Sequence, residues 1–535
     1  MSAIKEPVLI AGSGNCAEQV VVQLASAGTR LLVVTAGSTF PVDTGLNGAP
    51  PIEVLTDATI EACCQKTDDF RVDFTAGGNH FSRTVSSIVL AEPEQRKTNF
   101  SLYGVRSSDR VVPLSEMIRQ PDPVTAAVST GPKPLTIVFL TGLTAESNPV
   151  ILSEVMQAAY HLQTDSHPGG TIVQTYILTK NLKVGADGLE ALYRKTKEAG
   201  TIYVKFTDAA PDIIQKKDDV RITFTDEITG LPFKLTPDIT VVDETILPPR
   251  RIDGLSAIFG LAQDKSGFAQ TDNVHRLPVF TNRNGIFVTG AARDVLGPDD
   301  QMGEAANVAM AALGWMSDET PPADDKARIE KGACIRCLTC YRLCPYHAIS
   351  LDVYPMVIPK ACERCGICAS ECPQHAIDIP GMGRQEITEK IGSLKTDDSA
   401  DPVTPFVVAF CCSRSGSQAA RLATLMGQDL PSDLKIIEVP CAGSLSFEHI
   451  FSGYQQGADG VLVLTCHEGN CHSTEGNIHA RRRVDNLKER LAQIGYDAER
   501  LEIQTIASNM GTEFAAFARQ FSKKITALGP NPLRR

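Results

Sequence analysis

Apolar positions run unbroken from Val8 to Ala11, break at Gly12-Ser13-Gly14, and resume from Cys16 at helical spacing. This pattern predicts a buried strand, a tight glycine turn and a helix, followed by a second strand from Arg30 to Thr35. Near the other end, short apolar runs again alternate with amphipathic stretches. Strands are predicted at Phe406 to Phe410, Lys435 to Val439, Gly460 to Thr465 and Leu501 to Ile506, with helices at Ser417 to Met426, about Glu475 to Ile494, and after Gly511. Strands that alternate with helices predict parallel sheets, so both ends of the chain read as α/β.

The 535 residues exceed what one core holds, so several domains are expected. Cysteine usage marks them out. Of 16 cysteines, Cys16, Cys63 and Cys64 stand alone, none follows until Cys334, and thirteen fall between Cys334 and Cys471. The expected domains are 1–317, 327–382 and 403–530, joined by polar linkers at Asp318 to Asp325 and near Ser393 to Asp401. The start MSAIKEPVLIAGSG carries no secretory signal, which argues against a disulfide framework and for a cytoplasmic protein. No stretch approaches the roughly 18 apolar residues of a membrane span, so direct membrane insertion is not expected and any membrane association would run through a partner protein. A net charge of -12 disfavours nucleic acid as a partner.

Cys334, Cys337, Cys340 and Cys344-Pro345 form C-x2-C-x2-C-x3-C-P, and Cys362, Cys365, Cys368 and Cys372-Pro373 repeat it 28 residues later. A tight loop reaches three corners of an iron-sulfur cube, and the fourth thiolate comes from the other run in two-cluster ferredoxins of the bacterial type. Cys334, Cys337, Cys340 and Cys372 are therefore expected to hold one [4Fe-4S] cluster, and Cys362, Cys365, Cys368 and Cys344 the other. Paired zinc sites use two C-x2-C pairs rather than two runs of four, so zinc is disfavoured.

In the C-terminal segment Cys411 and Cys412 end the first predicted strand, Cys441 follows the second, and Cys466 and Cys471 follow the third. Strand ends of a parallel sheet share one edge, so five thiols meet on one rim. A [2Fe-2S] cluster needs four, leaving one of the adjacent Cys411 and Cys412 over. His467 and His472 are expected as hydrogen-bond donors around the ligands. Phe410-Cys-Cys, Cys441-Ala-Gly, Gly457-Ala-Asp-Gly-Val-Leu-Val, Cys466-His-Glu-Gly-Asn-Cys-His and Gly476-Asn together resemble the delta subunit of methyl viologen-reducing hydrogenase over nearly all of residues 405 to 528. The resemblance implies a [2Fe-2S] cluster that passes electrons between a partner enzyme and heterodisulfide reductase. The family separates its first two cysteines by two residues; here they are adjacent.

Gly12, Gly14 and Ala17 occupy the places of a Rossmann dinucleotide fingerprint. Thr136-Ile-Val-Phe-Leu, Leu189-Glu-Ala-Leu-Tyr, Asp238-Ile-Thr-Val-Val and Gly285-Ile-Phe-Val-Thr-Gly-Ala-Ala, which contains Gly290, resemble the A subunit of heterodisulfide reductase. Joined to the delta-like module, this resembles the B subunit of the quinone-interacting membrane-bound oxidoreductase. The resemblance implies FAD at Gly12, Gly14, Ala17 and Gly290. Several departures weigh against FAD. The second strand ends in Thr35 where an acidic residue normally holds the ribose, and two later strands end Ala91-Glu-Pro and Asp243-Glu-Thr where a glycine turn is usual. The stretch Ser147-Asn-Pro-Val-Ile-Leu-Ser-Glu lacks the family's cluster-binding cysteines. Cys16, Cys63 and Cys64 read as packed thiols.

The expected function is an electron-transfer subunit of a cytoplasmic heterodisulfide reductase-like complex. It is an oxidoreductase part that relays electrons between a flavoprotein of the heterodisulfide reductase A type and other redox subunits, with no catalytic residues of its own. The alternative is a self-sufficient FAD enzyme that oxidises NAD(P)H or a similar donor.

Overall fold

The computed structural model describes residues 6–41, 50–121, 134–165, 172–207, 209–227, 229–270, 273–317, 325–395 and 405–532. The chain divides into two compact units: Met1–Pro93 with Arg251–Asp294 and Gln301–Arg535, and Glu94–Arg250 with Val295–Asp300. The second unit thus interrupts the stretch 1–317. Most of both predicted linkers lies outside the described residues. Among the described residues no helix is long and apolar enough to cross a membrane.

The first unit begins with a five-stranded parallel sheet, ordered Ile286–Val288, Ser87–Ala91, Val8–Gly12, Leu31–Val34, Ile52–Leu55. Its three central strands are buried along their whole length, which is why they read as unbroken apolar runs rather than as alternation. Helix Asn15–Ser26 covers one face, and a three-stranded antiparallel sheet, Ala58–Gln65, Phe70–Ala76 and Asn79–Val85, packs with the core of the other. This is the predicted Rossmann-like α/β architecture.

The second unit holds another parallel sheet, ordered Ile202–Lys205, Val173–Thr179, Leu135–Leu140, Ile239–Val242, Val111–Pro113, with helix Pro149–Thr164 packed on it and a small antiparallel sheet beside it. Asp243, where a glycine turn is usual, is buried and accepts hydrogen bonds from Asn99 Nδ2 (2.8 Å), the Tyr103 hydroxyl (2.9 Å) and the Gly142 amide (2.9 Å). It fastens the loop after Leu135–Leu140.

Residues 325–395 and 405–532 belong to the first unit with the Rossmann-like sheet. The cysteine-rich segment consists of short two-stranded ladders, Arg328–Ile329 with Ile377–Asp378 and Ile349–Leu351 with Pro355–Val357, plus the brief helices Thr339–Leu343 and Ile367–Ser370. The C-terminal module is a four-stranded parallel sheet, ordered Leu434–Val439, Val407–Cys412, Gly460–Thr465, Leu501–Thr505. Helices Gly416–Leu425 and Gly511–Leu528 cover one face, and Gly476–Gln493 and Phe447–Gln455 lie on the other; the sequence pattern predicts all of these helices except Phe447–Gln455. One continuous apolar core, from Ala327 through Ile377, Ile387 and Phe410 to Ile503, is shared by the cysteine-rich segment and this module.

Candidate iron-sulfur centres and the candidate flavin site

The internal repeat is written in the backbone. Left-handed residues occur at Arg336, Leu338 and His347, and again at Arg364, Gly366 and His375, each 28 positions on. Each triplet folds its loop so that three sulfurs face inward. Cys334, Cys337 and Cys340 line one small cavity, and the fourth thiol on its wall is Cys372, from the other run. Cys362, Cys365 and Cys368 line a second with Cys344. Backbone amides aim at sulfur in both: Arg336 to Cys334 (3.4 Å), Ala376 to Cys372 (3.3 Å) and Ala348 to Cys344 (3.3 Å). Burial, the largest influence, pushes the Cys365 thiol up to about 12 and raises Cys340, Cys344 and Cys368. Thiols so disfavoured as free anions are suited to a positive partner. The donor chemistry and the interleaving of the two runs fit cubane clusters.

At the carboxyl edge of the C-terminal sheet, Cys412, Cys441, Cys466 and Cys471 form a buried ring. Cys412 Sγ lies 3.9 Å from Cys466 Sγ. The ring closes through sulfur contacts of Cys412 with Cys441 and of Cys471 with both Cys441 and Cys466. These mutual sulfur contacts couple the four thiols, lowering Cys412 and Cys471 and raising Cys441 and Cys466 from the ordinary thiol range. Gly476 closes the cage, because a Cβ there would stand 2.4 Å from Cys441 Sγ and 3.5 Å from Cys471 Sγ. The Gly443 amide donates to Cys441 Sγ (3.4 Å). Four buried thiols with an amide directed at sulfur are a donor set that fits a small iron-sulfur cluster. Cys411 does not join the ring. Successive residues of a strand face opposite ways, and Cys411 packs with Ala419, Leu464 and Phe514 under the two covering helices.

His472 follows a ring cysteine, but its Nδ1 is 3.1 Å from the Tyr346 hydroxyl, which ties the module to the cysteine-rich segment. His467 Nε2 reaches Met510 Sδ at 3.5 Å. The second thiol cage and the ring are neighbours. Ile367, between Cys365 and Cys368, would be met by a Cβ on Gly443 at 2.9 Å and by one on Gly476 at 3.6 Å, so its side chain packs between the second cage and the ring. Sequence reasoning missed Ile367 and Gly366 as positioning residues; the signal was the mismatch between Gly366 and its repeat partner Leu338.

The candidate flavin residues are placed differently. Gly12 has φ +146°, and a Cβ there would lie 2.1 Å from Ala91 O, so the turn is pressed onto the Ala91-Glu92 backbone. Gly14 (φ +82°) faces the Pro93 ring, its Cβ position 3.8 Å from Pro93 Cβ. Ala17 is fully buried. The Gly290 amide already donates to Glu304 Oε2 (3.0 Å), and Cys16 Sγ covers Gly290, 2.8 Å from where its Cβ would be. Glu92 is buried 3.6 Å from Arg251; burial raises its carboxyl above the usual range and the guanidinium only partly offsets this. Thr35 turns its hydroxyl to the Gly37 amide (3.1 Å). A buried carboxylate and a proline beside the glycine turn, with the last amide already bound, do not fit a dinucleotide pyrophosphate. Cys16 is buried and Cys63 half-buried, and burial raises both thiols, as expected of packed residues, whereas Cys64 is exposed because it points to the opposite side of strand Ala58–Gln65 and so departs from that expectation.

Residues 407–529 match the protein-family model for the methyl-viologen-reducing hydrogenase delta subunit, and residues 355–378 match the 4Fe-4S binding domain. The A subunit of the ferredoxin:CoB-CoM heterodisulfide reductase of Methanosarcina mazei is 28% identical over 375 residues, 68% of this chain and 46% of that protein. The iron-sulfur D subunit of the F420-non-reducing hydrogenase of Archaeoglobus profundus is 36% identical over 126 residues, 24% of this chain and 92% of that protein. Thioredoxin reductase of T. acidophilum superposes with a TM-score of 0.38 at 12% identity, covering 58% of this chain and 99% of that one. The chain spans about half the length of the heterodisulfide reductase proteins it matches. A portion like the heterodisulfide reductase A subunit is thus fused to a 4Fe-4S binding domain and, through residues 407–529, the chain belongs to the family of the methyl-viologen-reducing hydrogenase delta subunit.

Proposed function

We propose that the chain is an iron-sulfur electron relay of a heterodisulfide reductase-like complex, passing electrons between a flavoprotein partner and another redox protein. The observation that carries this reading is continuity: two interleaved thiol cages and a buried thiol ring stand side by side in one core, with Ile367 between the second cage and the ring. Cys334, Cys337, Cys340 and Cys372 hold one [4Fe-4S] cluster, Cys362, Cys365, Cys368 and Cys344 the other, and Cys412, Cys441, Cys466 and Cys471 a [2Fe-2S] cluster. Such clusters take up and give out single electrons. The protein's part is to fix the thiolates, exclude water and direct amides at sulfur, which stabilises the more negative reduced state. The Rossmann-like sheet serves as a flavin-free scaffold beside a partner flavoprotein.

Anaerobic quantitation of iron, sulfide and flavin on the purified chain tests this directly. About ten irons per chain and no flavin are expected, from two four-iron clusters and one two-iron cluster. A colourless zinc protein would refute the relay. One tightly held FAD per chain would refute the scaffold and favour a self-sufficient flavoenzyme that oxidises NAD(P)H or a similar donor.

A further inference from the structure

The two cysteine runs share a backbone but not an environment. The second, around Cys365, is packed against the C-terminal module, with Gly366 against Ser444 and Glu371 paired with Arg483. The first, around Cys337, faces solvent. Where the second run has Glu363 the first has Ile335, which is 59% exposed. The adjoining hairpin, Ile349–Leu351 with Pro355–Val357, presents Val353 (66% exposed) and Met356 (39% exposed), and the Arg336 guanidinium lies over the Tyr354 ring at 5.5 Å. Ile335 and Pro355 of the hairpin also line the first thiol cage, so the apolar surface adjoins those cysteines.

Charge singles out the same surface. In a chain of net charge -12, residues 331–351 contain Lys331, Arg336 and Arg342 and no Asp or Glu, with Asp352 the first acid after them. The matching residues 359–379 of the second run mix Lys360 and Arg364 with Glu363, Glu371 and Asp378. With the flanking Glu330 and Asp352 counted, the first run still carries more cations than acids and the second more acids than cations, so the apolar patch over the first cage is complementary to an acidic occupant.

We propose that this face, centred on Ile335, Val353 and Met356 and carried by a segment whose charged residues Lys331, Arg336 and Arg342 are all basic, is the docking port for an acidic single-electron carrier protein that exchanges electrons with the first cage. The port rests on the relay reading above, and each can fail separately. With a cluster held by Cys334, Cys337, Cys340 and Cys372, the reduced carrier would give up one electron and that centre would take it up, with no bond made or broken. Opposite charge accelerates encounter and orients the carrier, and the apolar centre holds it once seated.

The test uses the full chain, anaerobically loaded with iron, mixed in a stopped-flow instrument with a reduced acidic bacterial ferredoxin. The second-order rate should fall steeply with added salt. Lys331→Glu should slow it about threefold or more at low salt and converge on wild type at high salt. Val353→Glu should slow it at every salt concentration, whereas Lys488→Glu on helix Gly476–Gln493 should have no effect. Iron content and reduction by dithionite should be unchanged in all of them. A rate indifferent to salt and to both port variants, in protein with full iron content, would overturn the port and leave the relay standing. Absence of iron from the wild-type chain would overturn both.

Discussion

Replacing Gly366 by alanine offers a measurement of how firmly the cysteine-rich segment is seated on the C-terminal module. The residue has φ +76°, and a Cβ there would lie 2.5 Å from Ser444 Cβ, inside any allowed contact, and 3.1 Å from Ser444 Cα, a tight one. Left-handed backbone costs an alanine about 1 kcal/mol, and overpacking a rigid contact adds about 1–3 kcal/mol, so a loss of about 2–4 kcal/mol is expected. Ser444 cannot yield easily, since its hydroxyl donates to Cys441 O (2.7 Å) and its neighbour Gly443 is wedged against Gly476. The repeat partner supplies the control. Leu338→Ala has the same strained backbone (φ +60°) before and after the change and removes only a partly exposed side chain, so it should cost about 1 kcal/mol or less. Urea titration followed by visible absorbance, with iron content checked, reads both variants. Slower electron transfer into the thiol ring should accompany Gly366→Ala only. Equal midpoints for Gly366→Ala and wild type would refute the packing argument.

Other outcomes follow from the same geometry. Cys372→Ser should remove about four irons and abolish the cage that also contains Cys334, while Cys344→Ser should empty the other, which iron analysis with electron paramagnetic resonance would distinguish. Cys412→Ser should lose about two irons. Cys411→Ser should keep its iron but lose about 1–3 kcal/mol in urea, because a hydroxyl would replace the buried thiol with no polar partner provided. Glu92→Gln should stabilise the protein at pH 7. Burial holds the folded carboxyl above its unfolded pKa of about 4.3, so ionisation penalises the folded state once pH exceeds the folded value, and the advantage of Gln should vanish below about pH 4. A denaturation midpoint for Glu92→Gln that matches wild type at pH 7 would contradict this.

Much of the architecture was legible because parallel strands buried on both faces, such as Val407–Cys412 and Gly460–Thr465, leave unbroken apolar runs, and the strand ends then gather the cysteines. Helix Phe447–Gln455 escaped because its signal is short and its capping partner at the third helical position is His449 rather than Glu or Gln. The choice between Cys411 and Cys412 was left open, although the pleat resolves it: Val408, Phe410 and Cys412 share one face and Val407, Ala409 and Cys411 the other. The separate unit Glu94–Arg250 was illegible, since pairings such as Val111–Pro113 with Ile239–Val242 join residues more than a hundred apart and depend on long-range packing.

The buried Arg483 guanidinium shows what the fusion means for the C-terminal module. It donates to the carbonyls of Gly443 (2.9 Å) and Leu445 and to Glu371 of the cysteine-rich segment (3.1 Å). Cut free of that segment, the module would retain a cation sunk among its own carbonyls with its counter-charge gone, and a socket where Ile367 had been. Truncation between them should therefore leave the C-terminal module less stable than it is within the intact chain.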